Sequence, residues 1–341
     1  MNPDLSIVIP FFNRADTVAV TLASIRQARG SLLIETILVD DGSTPPATEQ
    51  LVGRPDQPDR YVRQPNQGLL FARLTGFAQA SGEFVLFLDS DDLVGPEKLL
   101  RQIEAMRRER ADVSYTDGAK VQLGPTLEET GAPVAEPELP ETNDIADFFI
   151  RVQPPPHSPI FRTAWLRPLV ERPLFPPSPL YNPVAEIWFY HVAAPHPGRV
   201  VKVPGGGTLI GQHGGSRITN QWEKMGVASL AVMEAFMRAT AADAGARRAR
   251  ELVAEAAFKS WRALPRDFSP AFQRRMLAVW RAQPGAALDR LGGSRFRQLA
   301  RWIGPVNAAR LLRLRSHSYA SCRTLDTPHQ LDSWLAQLPA P

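Results

Sequence analysis

The sequence predicts an α/β protein, a mostly parallel sheet followed by a helical C-terminal region. An uninterrupted apolar run at Phe84–Leu88, and largely apolar ones at Leu5–Ile9 and Thr36–Val39, fit strands buried on both faces. Between them the apolar residues recur at helical spacing, so strands alternate with crossovers and the sheet must be mostly parallel. Beyond Gln221 the pattern is helical almost to the end, without an internal repeat.

Leu5–Ile9 reads as the first strand, closed by Pro10-Phe11-Phe12-Asn13-Arg14, and Val18, Leu22 and Ile25 then mark a helix to about Ala28. Thr36–Val39 is a second buried strand that ends in acids, Asp40-Asp41-Gly42-Ser43. A short third strand around Tyr61–Arg63 leads to Gln64–Gly68, and a helix follows over Leu69–Ala80. Leu70, Leu74 and Phe77 face inward on that helix, and Arg73 lies on another face. Phe84–Leu88 stops abruptly in Asp89-Ser90-Asp91-Asp92, and Pro96 opens a helix to Arg110 with Leu99, Ile103 and Met106 on one stripe. Val113–Asp117 makes a further strand.

Gly118–Asp147 holds seven acids against one lysine and no clear periodicity, which predicts a loop or flap over the sheet rim. Ten prolines between Pro154 and Pro183 permit extended or turn structure but little helix. Ala185–Val192 regains helical character, Val200–Val203 reads as a strand, and Gly205–Gly207 as a turn ahead of Thr208–Ile210 and Gln212–Ser216.

A chain of 341 residues can bury a large core, and 44% hydrophobic with 22% charged content is ordinary for a soluble globular protein. No apolar run approaches the roughly 18 residues that span a bilayer. Met1–Asp4 lacks the basic region and apolar core of a signal peptide. The one cysteine, Cys322, excludes an internal disulfide framework and suits a reducing compartment, so the cytoplasm is expected. The net charge of +4 is unevenly divided. Arg238–Arg315 carries sixteen Arg and one Lys against five acids, a net of +12, which leaves −8 for the remainder. Any affinity for anionic surfaces therefore belongs to the C-terminal segment.

The acids after Phe84–Leu88 fall at the carboxyl end of a central strand, the edge where open α/β sheets bind ligands. Carboxylates this close repel unless a cation or protons intervene. Hard oxygen ligands with spare positions suit Mg2+ or Mn2+ carrying a substrate's phosphates. The alternative is that Asp91 and Asp92 cap the following helix.

"LSIVIPFFNR", "TILVDDGST", "NQGLLFARLTG", "ASGEFVLFLDSDDLVGPEKL" and "QHGGS" occur in the order seen in family 2 glycosyltransferases, which this chain resembles densely over residues 5–117 and more thinly to His213–Ser216. The resemblance implies a GT-A fold, a Rossmann-like, mostly parallel sheet with helices on both faces that binds a nucleotide-sugar. Residues 1–220 are the expected GT-A domain, with a nucleotide-binding half at 1–117 and an acceptor-side half at 118–220; residues 221–341 form the basic helical region.

On this resemblance Asp41 matches the acid that reads the nucleotide base, and Pro10 and Phe12 match positions lining the base pocket, with Phe12 standing where the family commonly has Tyr. Arg73 matches a basic position near the diphosphate. Asp89 and Asp91 match the DxD signature, Asp91 as direct metal ligand and Asp89 aiding ribose or metal, and His213 matches a position near metal and phosphate. The implied cofactor is Mn2+ or Mg2+. Each position has a plainer alternative: an Asx turn for Asp41, a solvated helix face for Arg73, a structural histidine for His213.

At the base the sequence departs from the pattern, since Ala185-Glu186-Ile187-Trp188-Phe189 stands where Glu-Asp precedes Phe by two residues. Glu186 falls at the position of the family's general base and reaches one methylene further than Asp. The implied reaction is inverting displacement on a UDP-linked sugar by a hydroxyl of a glycan or lipid-linked acceptor, in surface polysaccharide synthesis. The alternatives are a non-catalytic nucleotide-sugar-binding scaffold, and a pyrophosphorylase whose Gly-rich, Arg-containing loop Pro10–Asn13 does not provide. In the C-terminal region Trp261, Met276 and Trp280 lie on apolar stripes with Arg on the other sides, most simply core. The functional alternative is peripheral contact with anionic lipid at the inner face of the membrane. No nucleic-acid motif accompanies the basic helices, so nucleic acid is not an expected partner.

Overall fold

The computed structural model describes residues 2–339 apart from 52, 55, 56, 215–220, 284, 286 and 326, so Gly215 and Ser216 of the Gly-rich motif lie outside the described residues. Four strands, β1 (Leu5–Phe11), β2 (Ile34–Asp41), β3 (Arg60–Gln64) and β4 (Phe84–Phe87), pair in parallel in the order β4-β1-β2-β3. Helices α1 (Ala15–Ala28), α2 (Ala47–Gln50) and α3 (Leu69–Gln79) connect them. The chain then forms β5 (Leu93–Val94), α4 (Lys98–Glu109), β6 (Val113–Tyr115), β7 (Gly118–Gln122), β8 (Val134–Ala135) and α5 (Ile145–Asp147), which runs into a π-helical turn, Phe148–Val152. β9 (Ile160–Arg162), α6 (Thr163–Glu171), a 3-10 turn at Pro179–Val184, α7 (Ala185–Ala193), β10 (Val200–Lys202) and β11 (Thr208–Gln212) follow.

The main sheet has seven strands ordered β10-β6-β9-β4-β1-β2-β3, with β9 antiparallel between β4 and β6. Its central strands are buried at every position because both faces are covered. On β4, Phe84 and Leu86 join Val18, Leu22, Leu99 and Ile103 under α1 and α4, whereas Val85 and Phe87 join Leu70 and Phe77 of α3 and the aromatic residues of α7. This period-two division of a continuous apolar run is what a doubly covered parallel strand demands.

A second sheet, ordered β5-β11-β7-β8, forms beside the first. It accounts for three departures from the sequence reading. The acid-rich segment is not all loop, since Gly118–Gln122 pairs with Thr208–Gln212. The helix expected from Pro96 starts at Lys98, because Leu93–Val94 is taken up by β5 and Glu97 adopts φ 63 ahead of it. The strand expected over Val113–Asp117 ends at Tyr115, where the chain passes into the second sheet. The proline-rich stretch likewise holds more helix than expected: α6 contains Pro168, and Leu166 and Trp165 pack it into the core. That packing offsets the hydrogen bond Pro168 cannot make.

The C-terminal helices are α8 (Trp222–Ala239), α9 (Arg247–Ala263), α10 (Pro270–Arg281), α11 (Leu288–Leu291), α12 (Ser294–Arg313) and α13 (Pro328–Ala336). Their apolar stripes share one buried cluster with α3, α7 and the sheet, including Leu230, Phe236, Phe258, Trp261 and Met276. The expectation that Trp261 and Met276 are core therefore holds. Among the described residues no helix is long and apolar enough to cross a membrane.

Candidate active site

Parallel register brings the ends of β1, β2 and β4 to one rim. Phe11 lies opposite Asp40 and Val8 opposite Phe87, so Pro10 and Phe12, Asp40 and Asp41, and Asp89 emerge together at the carboxyl edge. The Phe12 ring is 47% exposed there, a free aromatic face on a rim otherwise lined with carboxylates. Asp40 and Asp41 divide the work between them. Asp40 closes the turn, accepting from the Ser43 and Ala47 backbone N–H at 2.8 and 2.9 Å. Asp41 faces the loop before α3 instead, accepting from Gln64 Nε2 at 2.7 Å and from the N–H of Gln67 and Gly68 at 2.9 and 2.8 Å. Its Asx-turn alternative is thus filled by its neighbour.

That loop depends on a glycine. Gly68 has φ 93, and a Cβ there would overlap the Asn182 side chain. Asn182 clamps the start of α3, accepting from Leu70 N–H at 3.0 Å and donating to Gln67 O at 2.8 Å. Sequence reasoning missed Asn182, which sits in a proline-rich stretch where only the absence of helix was legible.

Arg73 is not on a solvated face. It is 1% exposed, with Nη2 2.6 Å from Asp89 Oδ1 and Nη1 3.6 Å from Glu186 Oε2. It is held in place because α3 lies directly on β1 and β2, and the buried guanidinium has two carboxylates to balance it. Glu186 arrives from the first turn of α7, about a hundred residues downstream of Asp89 in the chain. Burial pushes the Glu186 carboxyl up, Arg73 opposes that shift, and the negative Asp89 adds to it. Burial also pushes Asp89 up, against Arg73 and together with Asp92 and Asp91. Each of the two carboxylates keeps a quarter of its side chain in contact with solvent. Tyr190, one turn along α7, is buried with its hydroxyl donating to Pro154 O at 2.8 Å; burial, with Glu186 next, keeps that hydroxyl far from ionising. The result is a partly exposed carboxyl at the end of a buried ion network, placed where it could accept a proton.

Asp91 points the other way. Its Oδ2 lies 2.9 Å from His213 Nε2, and Arg14 Nη1 lies 3.1 Å from the first and 3.0 Å from the second. His213 reaches this point because β11 pairs antiparallel with β5, immediately after the acids. The approach is close enough that a Cβ on Gly211 would overlap the Asp91 carbonyl. Asp92 is structural: Oδ1 accepts from Gly211 N–H at 2.9 Å, and Oδ2 lies 2.9 Å from the buried His157 ring. It caps no helix, because a strand rather than a helix follows it.

Carboxylate and imidazole converging at Asp91 and His213 form a donor set suited to Mn2+ or Mg2+. Among the described residues no group of three or more His, Cys, Asp or Glu is placed to hold a metal ion, and Asp89 is engaged by Arg73. A divalent ion here would draw its remaining ligands from a bound diphosphate and water, and Arg14 would turn away from between the two donors. Arg14 was passed over in the sequence although it closes the first motif, because its pairing with residues 91 and 213 is purely tertiary.

Residues 6–160 match the family described as Glycosyl transferase family 2. The chain is 34% identical over 122 residues to the succinoglycan biosynthesis protein ExoO of Rhizobium meliloti, covering 36% of this chain and 32% of that protein. It is 35% identical over 109 residues to the undecaprenyl-phosphate 4-deoxy-4-formamido-L-arabinose transferase of Pectobacterium carotovorum, covering 30% of this chain and 33% of that protein. The chain spans from 17% to 50% of the length of the curated relatives it matches. Among solved structures it is similar to S. aureus TarS 1-349 in complex with UDP-GlcNAc, with a TM-score of 0.62 at 19% identity, covering 94% of this chain and 92% of that one. That likeness takes in the C-terminal helices as well as the sheet, and the fold is of the GT-A class.

Proposed function

We propose, from the match of residues 6–160 to glycosyl transferase family 2, that the protein transfers a sugar from a nucleotide-sugar, UDP-linked, to a hydroxyl of a glycan or lipid-linked acceptor. The observation that carries the reading is the buried Arg73, which holds Asp89 of the DxD turn and Glu186 of α7 on one guanidinium. It ties the group at the leaving diphosphate to the group that takes the acceptor proton, so that both keep one geometry.

The base stacks on Phe12 beside Pro10, with Asp41 shaping the loop that closes the pocket and offering a carboxylate to the base. Glu186 Oε removes the proton from the acceptor hydroxyl, the oxygen attacks the anomeric carbon, and the bond from that carbon to the diphosphate breaks with inversion. A carboxyl raised by burial is better matched to this proton transfer near neutral pH than an ordinary glutamate. Asp91 and His213 would hold Mn2+ or Mg2+, with Asp89 kept on Arg73 beside them, and the chemistry of the ion when bound is to neutralise the charge developing on the departing diphosphate. The names of the relatives above, a succinoglycan biosynthesis protein and an undecaprenyl-phosphate sugar transferase, support surface polysaccharide synthesis as the setting.

A panel of nucleotide-sugars tested by thermal shift with Mn2+, followed by release of the nucleoside diphosphate with and without acceptor, tests this. Selective stabilisation by one UDP-sugar and acceptor-dependent release is the expected result. Tight binding without turnover on any acceptor would instead assign a nucleotide-sugar-binding scaffold.

A further inference from the structure

Large apolar side chains exposed elsewhere among the described residues are scattered singly, as Phe12, Leu33 and Val134 are. On α12 they are clustered. Trp302 is 89% exposed and Leu314, just past the helix, 66%, and Ile303, Leu311 and Leu312 accompany them. The opposite side of the helix is accounted for, since Phe296, Ala300, Ala308 and Ala309 are buried against the core. Gly304, at φ 78, and Pro305 break the helix and leave Trp302 and Ile303 at the bend.

The charge around this patch has one sign. From Arg290 to Leu325 the chain has no Asp or Glu. Arg295, Arg297, Arg301, Arg310 and Arg315 are exposed, and none is paired with a carboxylate among the described residues. Other arginines of the basic segment are consumed internally: Arg275 grips Glu234 at 2.5 Å, and Arg250 and Arg313 donate to the Met237 and Pro265 carbonyls at 2.7 Å. The basic excess is thus sorted into a structural part and an unpaired part, and the unpaired part interleaves along the chain with the exposed apolar residues.

We propose that this face of α12 docks the protein on an anionic lipid bilayer, with Trp302, Ile303 and Leu314 entering the boundary between headgroups and acyl chains and the arginines resting on lipid phosphates. An aromatic and aliphatic patch within an arginine field is the composition that lies in a membrane interface. A second copy of the chain fits worse, because a two-fold contact would press this acid-free patch against itself, arginine on arginine. Nucleic acid would satisfy the arginines and leave Trp302 and Leu314 in water. The inference is independent of the transferase reading, since no residue in it belongs to the candidate site.

The test is flotation of the full chain with vesicles of phosphatidylcholine alone and of phosphatidylcholine mixed with phosphatidylglycerol. Binding to the mixed vesicles, and not to the neutral ones, is expected, and it weakens as salt rises. Each arginine near the surface is worth about fivefold in affinity, so Arg297→Gln with Arg301→Gln should weaken binding about 25-fold. Brominated acyl chains should quench tryptophan fluorescence in the wild type, and the quenching should largely vanish in Trp302→Phe, which isolates this ring from the six others. A melting temperature unchanged in both variants shows that the fold is intact. Equal binding to neutral and anionic vesicles, no binding to either, or full binding by the double arginine variant would overturn the proposal. So would a dimer abolished by Trp302→Ser in a protein that ignores vesicles, which would give this face to a second copy.

Discussion

Replacing Arg73 by methionine removes the cation between Asp89 and Glu186 and keeps most of the stem's volume. The guanidinium is 1% exposed and its two partners lie 2.6 and 3.6 Å away. Deleting one member of a buried ion pair costs about 3–5 kcal/mol, because the remaining charges lose their compensation. Here both carboxylates keep a quarter of their side chains in contact with water, which screens them and places the expected cost at the lower end, about 3 kcal/mol near pH 8. The cost depends on pH in a defined direction. Burial already raises both carboxyls above their unfolded values, and loss of Arg73 raises them further. A carboxyl raised in the folded state adds stability that is fully present below its unfolded value, about 4, and is lost as pH climbs through the folded one. The gap between wild type and Arg73→Met should therefore be smallest near pH 4 and widen toward pH 8. Urea unfolding followed by circular dichroism across that range measures it. A gap that does not change with pH, or one below about 1 kcal/mol at pH 8, would refute the assignment of Arg73 as the buried counter-charge.

Glu186→Gln should leave UDP-sugar binding unchanged while turnover falls by about 10²–10⁴, and the rising limb of the pH profile, displaced above the ordinary glutamate range by burial, should disappear. Glu186→Asp should retain turnover; an unaltered rate in the Gln variant would place the base elsewhere. Ligand at 100 times its Kd stabilises by about 2.7 kcal/mol, and Asp91→Ala should lose most of that increment with UDP and Mn2+. Asp92→Ala, which gives up its bond to Gly211, should melt lower by about 1–3 kcal/mol yet keep the increment; equal increments in wild type and both variants would remove the metal reading. Phe12→Ala should leave the melting temperature alone and weaken UDP about tenfold, the loss of one stacking face, whereas Asp41→Ala should cost about 2–3 kcal/mol without ligand because three donors lose their acceptor. A chain ending at Gly214 exposes the core that Leu230, Phe236 and Phe258 cover and should aggregate or bind a hydrophobic dye; a monomer that melts cooperatively would show the helices to be dispensable.

By itself the sequence determined the parallel sheet, the acid-tipped strand ends and the helical C-terminal region. Those features are local, since a strand covered on both faces is apolar along most of its length, and Leu5–Ile9, interrupted only by Ser6, or Phe84–Leu88 carries that record within its own few residues. The motif order pointed to the family for the same reason: each motif is one strand end with its turn. Contacts between distant segments were decided by the tertiary structure. Whether Arg73 was solvated or buried depended on Glu186, which lies on a helix that follows ten prolines. Whether His213 stood beside Asp91 depended on β5 and β11 pairing in a second sheet, and the pairing of β7 with β11 in that sheet drew part of the acid-rich segment out of the loop assigned to it. A charged side chain's environment is set by whatever packs against it. For Arg73, Asp91 and Glu186 those partners lie from sixteen to more than a hundred residues away, beyond any periodicity the chain could display.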